Sequence, residues 1–160
     1  MNRLSRCLAV AAVGLSLSGC NFWLAGHSED LGLIIHGQGQ IEGETSTFTL
    51  GVDGTDITCK GTTVIVHKTG NIIGDRGRAE FSCSDGRKGT GELVVTSLEG
   101  GTGSGTDECG NTIQLVWNIH EAKVKRLLES YRQTATARKV SFADKCEAAG
   151  DAPPHRDPLI

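Results

Sequence analysis

The sequence predicts a mainly β domain, a small antiparallel meander or partial barrel or sandwich, with a C-terminal α-helix. Three features point there. Between residues 31 and 119, short β-branched and apolar runs alternate with clusters of Gly, Asn and Asp, which is the grammar of strands and turns. After Ile119 the apolar spacing changes to three and four residues, which marks a helix. Glycine is abundant, at 22 of 160 residues, and aromatics make up only 4%, so the core is modest and gains from covalent staples.

Strands are expected at "LGLIIHG", "TFTLGV", "DITCK", "TTVIVHK", "RAEFSCS", "GELVVTSL" and "TIQLVWNI". The last alternates cleanly: Ile113, Leu115, Trp117 and Ile119 share one face, with Gln114 and Asn118 opposite. The glycine-rich stretch "GGTGSGTDECGN", residues 100–111, is expected to be a flexible loop. A weak repeat runs through the region. Cys59, Cys83 and Cys109 each precede a glycine and then an apolar strand, at steps of 24 and 26 residues, which suits one hairpin per step.

In "EAKVKRLLESYRQTATARKV", Val124, Leu127, Leu128, Tyr131 and Ala135 form a stripe at helical spacing. Strong helix formers fill the rest of its first turns. A short second helix is expected from Ser141, capped with Asp144 and stopped by Gly150, and "DAPPHRDPLI" reads as a loose tail.

The chain begins with Arg3 and Arg6, has no acid before Glu29, and carries the apolar run "CLAVAAVGLSL". A basic start followed by a short apolar core is the build of a secretory signal. A transmembrane anchor is the competing reading, and the run is shorter than the about 20 apolar residues that a bilayer core requires. The run ends in "LSGC", which resembles the lipobox of bacterial lipoproteins. The resemblance implies that the Cys20 thiol takes a diacylglyceryl group, that cleavage falls between Gly19 and Cys20, and that the new amino group is acylated. Two or three chains on one residue make a lasting anchor where one holds only marginally. Asn21 stands where an Asp would imply inner-membrane retention, so the resemblance implies the periplasmic face of the outer membrane over the inner membrane. The expected divisions are a signal peptide at 1–19, a lipidated tether at 20–30, a β domain at 31–119, a helical segment at 120–150 and a tail at 151–160. In the tether, Phe22 and Trp23 would either dip into the membrane interface or cap the core.

The mature chain keeps all 19 acidic residues and loses Arg3 and Arg6 from 16 basic ones, for a formal charge of −5. This balance argues against a nucleic-acid partner. Residues 121–139 are locally basic, with Lys123, Lys125, Arg126, Arg132, Arg138 and Lys139 against Glu121 and Glu129. Lys123, Lys125, Arg126 and Arg132 are therefore candidates to contact headgroups or an acidic envelope partner, against the plainer reading of a solvated outer face.

With Cys7 removed and Cys20 lipidated, Cys59, Cys83, Cys109 and Cys146 remain. In an exported domain four cysteines usually form two disulfides, with three possible connectivities. A four-thiolate zinc site is the alternative, but the gaps of 24, 26 and 37 residues lack close C-x-x-C pairs. The preferred pairing is Cys59–Cys83 between neighbouring hairpins and Cys109–Cys146 from the sheet to the helical end.

Residues 77–93, "GRAEFSCSDGRKGTGEL", resemble a single MORN-type hairpin through Gly77, Phe81, Asp85, Gly86 and Gly91, with Cys83 and Gly89 in place of aromatics. Apart from any family, Asp85-Gly86 suits a tight hairpin turn. "FSCSDG" also resembles a Cys-Asp-Gly hairpin of membrane-bound lysozyme-inhibitor lipoproteins, whose later Ser-Gly-Tyr-like motif this chain lacks.

No motif predicts catalysis. "GGTGSGT" is not followed by the Lys-Ser/Thr of a phosphate loop, and Ser104 lacks the G-x-S-x-G frame. His27, His36, His67, His120 and His155 show no H-x-x-x-H spacing, and Asp53 and Asp56 begin no calcium loop. No cofactor is expected. The expected function is a membrane-anchored, non-catalytic envelope module for structure or interaction. The alternatives are an enzyme inhibitor that inserts loop 100–111 into an active site, and a small hydrolase built on His36, His67 or His120.

Overall fold

In a computed structural model, residues 19–28 and 31–134 are described. Eight strands run β1 (Cys20–Ser28), β2 (Leu33–Glu42), β3 (Thr45–Val52), β4 (Thr58–His67), β5 (Arg76–Cys83), β6 (Lys88–Ser97), β7 (Gly100–Asp107) and β8 (Thr112–Asn118), followed by α1 (Glu121–Thr134). Each strand pairs antiparallel with the next, and β8 returns to β1, so the meander closes into a barrel. Closure leaves no unpaired sheet edge.

Alternation decides which side chains fill the barrel. Phe22, Leu24, Ile35, Phe48, Leu50, Val52, Cys59 and Ala79 form the buried interior. The outer face carries Gln38, Gln40, Thr47, Thr49, Lys60, Thr62 and Glu80, all exposed. This is the reverse of a membrane-spanning barrel, which faces lipid with apolar residues.

Tight curvature is obtained by setting phenylalanines over glycines. Phe22 lies opposite Gly39, Phe48 opposite Gly61, and Phe81 opposite Gly89. A methyl group on Gly61 would sit 2.3 Å from Phe48 Cζ, and one on Gly89 would sit 2.3 Å from Phe81 Cζ. The ring covers backbone that no side chain shields, which permits the bend a small barrel needs. The MORN-like segment is the β5–β6 hairpin. Gly86 alone in its turn takes a positive φ, 91°, and its N–H donates to the Cys83 carbonyl at 3.0 Å.

Several expectations are corrected. Of the tether expected at 20–30, residues 20–28 are strand β1, so the described β domain begins at Cys20. Phe22 and Leu24 point into the barrel, while Ala25 packs with Ile34, Val124 and Leu128 beneath the helix. Both faces are buried, which hides the alternation that betrays a half-buried strand. The loop expected at 100–111 is mostly strand β7, and its glycines are a steric requirement, as a side chain at Gly101 or Gly103 would meet the neighbouring strands. "DITCK" and "TTVIVHK" are one strand, β4. The glycine after the repeated cysteine is a turn residue at Gly86 and Gly110, but Gly61 lies inside β4. The expected second helix and tail lie outside the described residues.

The expected helix is present as α1. Val124 and Leu128 are buried, with Leu127 and Tyr131 packed beside them against Trp23, Ala25 and Ile34. The helix thus closes the outer side of β1, β2 and β8. The His27 and Tyr131 rings lie 4.8 Å apart, and burial raises the Tyr131 hydroxyl pKa above its usual value. At the far end of the helix, Arg132 clasps Asp53 through two bonds, Nε to Oδ2 at 2.7 Å and Nη2 to Oδ1 at 3.2 Å. The hydrogen bond from Arg132 holds the Asp53 carboxyl below its ordinary 3.8, and His36, at 2.9 Å, adds to the effect. A depressed carboxylate stabilises the fold above its unfolded pKa, and that contribution fades as pH falls through the folded value. Arg132→Ala is therefore expected to return the Asp53 titration toward 3.8 in an NMR pH series. At neutral pH the loss of this partly exposed pair costs no more than about 1 kcal/mol.

Candidate functional site

The two ends of the barrel differ. At the end made by the β3–β4, β5–β6 and β7–β8 turns, the interior is sealed. Cys59 and Cys83 sit directly opposite each other and form a disulfide, worth about 3 kcal/mol for a loop of this length in the chain-entropy model. Beside it, Arg87 Nη1 donates to Asp107 Oδ2 at 3.1 Å. Asp107 is 4% exposed at its side chain and Arg87 11%. Asp107 also accepts from Cys109 N at 3.0 Å, Asn111 N at 2.9 Å and Asn111 Nδ2 at 2.9 Å.

The other end is open. It is framed by the β2–β3 turn, the long β4–β5 connection, the β6–β7 turn and the first residue of β1. A cavity of about 590 Å³ opens there. An eight-stranded barrel is the size that either fills its own interior or holds one small ligand, and this one is filled on one side only. The buried cluster is drawn entirely from β1 to β5. The inward residues of the remaining wall, Leu93, Val95, Ile113, Leu115 and Trp117, stay partly exposed to the cavity. The reason lies in β7, where Gly103 and Gly105 line or back the wall and contribute no side chain to the interior.

The lining is overwhelmingly apolar, with Phe81, Ile65 and Ile41 completing it. Glu44, Lys68, Asp75 and Ser97 stand at the mouth, while Thr63 Oγ1 and Trp117 Nε1 are buried among the lining residues with no hydrogen-bond partner among the described residues. Lys68 and Glu44 are paired. Asp75 is spoken for by the Thr69 backbone N–H at 2.6 Å and hydroxyl at 2.9 Å. A second depression, about 900 Å³, lies on the outer face of β1 to β5 among Gln38, Gln40, Thr49, Lys60, Thr62 and Glu80. It is larger, but it is a polar surface facing solvent, and the enclosed apolar cavity is the better ligand site.

The residues expected to function fall as follows. Cys20 is a free, exposed thiol on the rim of the mouth. Cys59 and Cys83 are paired as expected, which excludes a zinc site shared by all four cysteines. Cys109 is disulfide-bonded as well, and the expected pairing with Cys146 lies outside the described residues. Of the basic helix residues, Lys123 pairs with Glu99, Lys125 with Glu121 at 2.8 Å, and Arg132 with Asp53. Arg126 donates to the Ala122 carbonyl at 3.2 Å. Three of these four described basic residues are thus ion-paired within the chain. Hydrogen bonding from Lys123 lowers the Glu99 carboxyl pKa.

Among the described residues, the candidate histidines His36, His67 and His120 are not brought into one site. His36 meets Asp53 at one end of the molecule and His120 meets Glu99 at 3.4 Å at the other. His36, His67 and His120 are all exposed, and none lines the cavity. Among the described residues, no cluster of three or more His, Cys, Asp or Glu could hold a metal ion. Nor is any helix among them long and apolar enough to cross a membrane. Segment 100–107, the candidate insertion loop of an inhibitor, is a wall strand.

The face predicted in β8 did mark the site, since Ile113, Leu115, Trp117 and Ile119 all line the cavity. The sequence pattern missed that this face looks into empty space. The available signal was the run of alternating glycines in β7, which leaves large residues on both neighbouring strands without a partner.

No protein-family model and no curated protein sequence matches the chain. Among solved structures it is similar to a redesigned β barrel, mFAP1, bound to DFHBI, at 18% identity over 62% of this chain and 93% of that one, with a TM-score of 0.50. A de novo designed fluorescence-activating β barrel aligns at 16% identity over 62% and 91%, with a TM-score of 0.49. At these identities the likeness to mFAP1 concerns the fold alone: this chain is built as a closed β barrel.

Proposed function

We propose that the mature chain is a lipid-anchored envelope protein, a non-catalytic binding module that holds one apolar or amphiphilic molecule in its barrel. The observation that carries this reading is the apolar cavity of about 590 Å³ opening on the rim that bears Cys20. Its volume falls within the range of about 300–1,000 Å³ that suits one small ligand. The lining offers burial of apolar surface at about 25 cal/mol per Å², and the charged groups at the mouth suit the polar end of a chain amphiphile. The lipobox resemblance supports the anchor at Cys20 and, with Asn21, the periplasmic face of the outer membrane. The fold neighbour mFAP1, described as bound to DFHBI, is consistent with a barrel of this build enclosing a small molecule.

Titration with a dansyl-labelled fatty acid is expected to show saturable one-to-one binding, displaced by unlabelled chain. Leu93→Trp, which fills the cavity from β6, is expected to weaken binding at least about tenfold, equivalent to about 1.4 kcal/mol, with the thermal unfolding profile kept as the control for folding. Absence of saturable binding, or unchanged binding in Leu93→Trp, would overturn the reading. Mass spectrometry of the N-terminal peptide tests the anchor separately, with Cys20 expected to carry acyl chains.

A further inference from the structure

We propose that the rim of the barrel mouth seats on the surface of a phospholipid bilayer, so that the cavity opens directly into the lipid interface and takes its occupant from there. This deepens the binding reading of the same cavity, but the docking itself stands on the rim.

Four observations converge. The large hydrophobic residues exposed among the described residues are Val64, Val66, Ile72, Ile73, Leu98 and Ile119. Every one belongs to the mouth half: the end of β4, the β4–β5 connection, the β6–β7 turn, or the residue after β8. Leu98 is 75% exposed at the tip of a two-residue turn. Soluble surfaces scatter such residues singly, and their concentration on one rim marks an interaction face.

The second observation is strain. Ile72 takes φ 65°, among the described residues the one non-glycine with a positive φ. For a β-branched residue this conformation is a genuine outlier. It is held by its surroundings: Asp75 N donates to Ile72 O at 3.1 Å, Gly74 N to Val95 O at 2.7 Å, and Thr69 Oγ1 to Ile73 O at 2.8 Å. The connection is thus braced with Ile72 and Ile73 exposed, at a conformational cost for a β-branched residue.

The third is the place of Cys20. Cys20 lies on this rim and lines the mouth, so acyl chains carried by Cys20 would sit on the same side as the exposed apolar residues. An anchor there holds the mouth against the bilayer. The fourth is charge. Lys68 pairs with Glu44, and Lys123 and His120 with Glu99. Exposed Glu42 and Arg76, at the ends of β2 and β5, add one charge of each sign, so a rim without an excess of basic groups is drawn by apolar burial rather than by attraction to anionic headgroups. The occupant of this face is therefore the interfacial region of the bilayer, and docking to it is insensitive to salt.

The test is hydrogen exchange on the full mature lipoprotein reconstituted in phosphatidylcholine vesicles, compared with the double variant Leu98→Asp/Ile73→Asp. In the wild type, amides of 70–75 and 97–99 are expected to exchange several-fold more slowly than in the variant. Amides of the far-end turns, 53–56 and 84–86, are expected to match between the two, and raised salt to leave the difference in place. Equal exchange at the mouth in both proteins, a difference shared by the far end, or protection abolished by salt would overturn the docking. The readings separate cleanly. Wild type that binds the dansyl probe without mouth protection keeps the binding function and removes the docking. Mouth protection in protein whose Cys20 carries no lipid keeps the docking and removes the anchor.

Discussion

Asp107→Ala is expected to destabilise the barrel by about 3–5 kcal/mol, the range for breaking a buried ion pair from one side. The reason is what the substitution leaves behind. Arg87 is nearly buried beside Asp107 and would keep its charge without the buried acceptor at 3.1 Å. Its contact with Asp85, at 2.6 Å, lies on a more exposed carboxylate. The Cys109 and Asn111 backbone N–H groups, at 3.0 and 2.9 Å from Asp107 Oδ1, would lose that acceptor too. Each buried polar group stranded in this way costs about 1–3 kcal/mol. Urea unfolding followed by tryptophan fluorescence measures the loss. Asp107→Asn separates the contributions: it keeps the shape and one carbonyl acceptor, and should fall between wild type and Asp107→Ala. Equal stability of all three proteins would mean that the sealed end does not hold the barrel closed.

Gly101→Ala is expected to cost about 3 kcal/mol, the upper end for overpacking, although alanine is ordinarily a mild replacement. A methyl group there would lie 2.0 Å from the Val94 carbonyl oxygen and 2.8 Å from Trp117 Nε1. The first obstacle is backbone of the neighbouring strand, which cannot rotate away as a side chain can. Relief requires β6 and β7 to separate and lose ladder hydrogen bonds. Thr102→Ala, on the exposed outer face of the same strand, is the control and should change stability by less than about 0.5 kcal/mol. Thermal unfolding of the two variants side by side decides the matter. A small effect at Gly101 would show that the wall between β6 and β7 yields easily.

Both residues show why part of this protein was legible in its sequence and part was not. The alternation of Ile113, Leu115 and Trp117 announced a strand with one apolar face, because strand geometry forces a period of two whatever the fold. The stripe of Val124, Leu127, Leu128 and Tyr131 announced α1 for the same kind of reason, a local period. Strand β7 escaped because local propensity argues against glycine in strands. The glycines of β7 are selected by neighbours on other strands: Val94 and Trp117 at Gly101, and Leu93 at Gly103. Strand β1 escaped because both of its faces are covered, one by the barrel interior and one by α1. The basic residues of α1 stood out in the sequence, but their partners Asp53 and Glu99 lie 79 and 24 positions away.

Chain order alone carried the periods of the elements, the Asp85-Gly86 turn, and cysteines at a spacing that suits a disulfide between neighbouring hairpins. All of these are set by chemistry within a few residues, or by simple counting of thiols. Three-dimensional packing was needed to close the meander, to seal one end with Asp107 and Arg87, and to open the other into an apolar cavity beside Cys20. Closure depends on the pairing of β1 with β8, the first and last strands among the described residues. The cavity depends on the sum of side-chain volumes delivered from eight strands, a quantity that no short stretch of sequence contains.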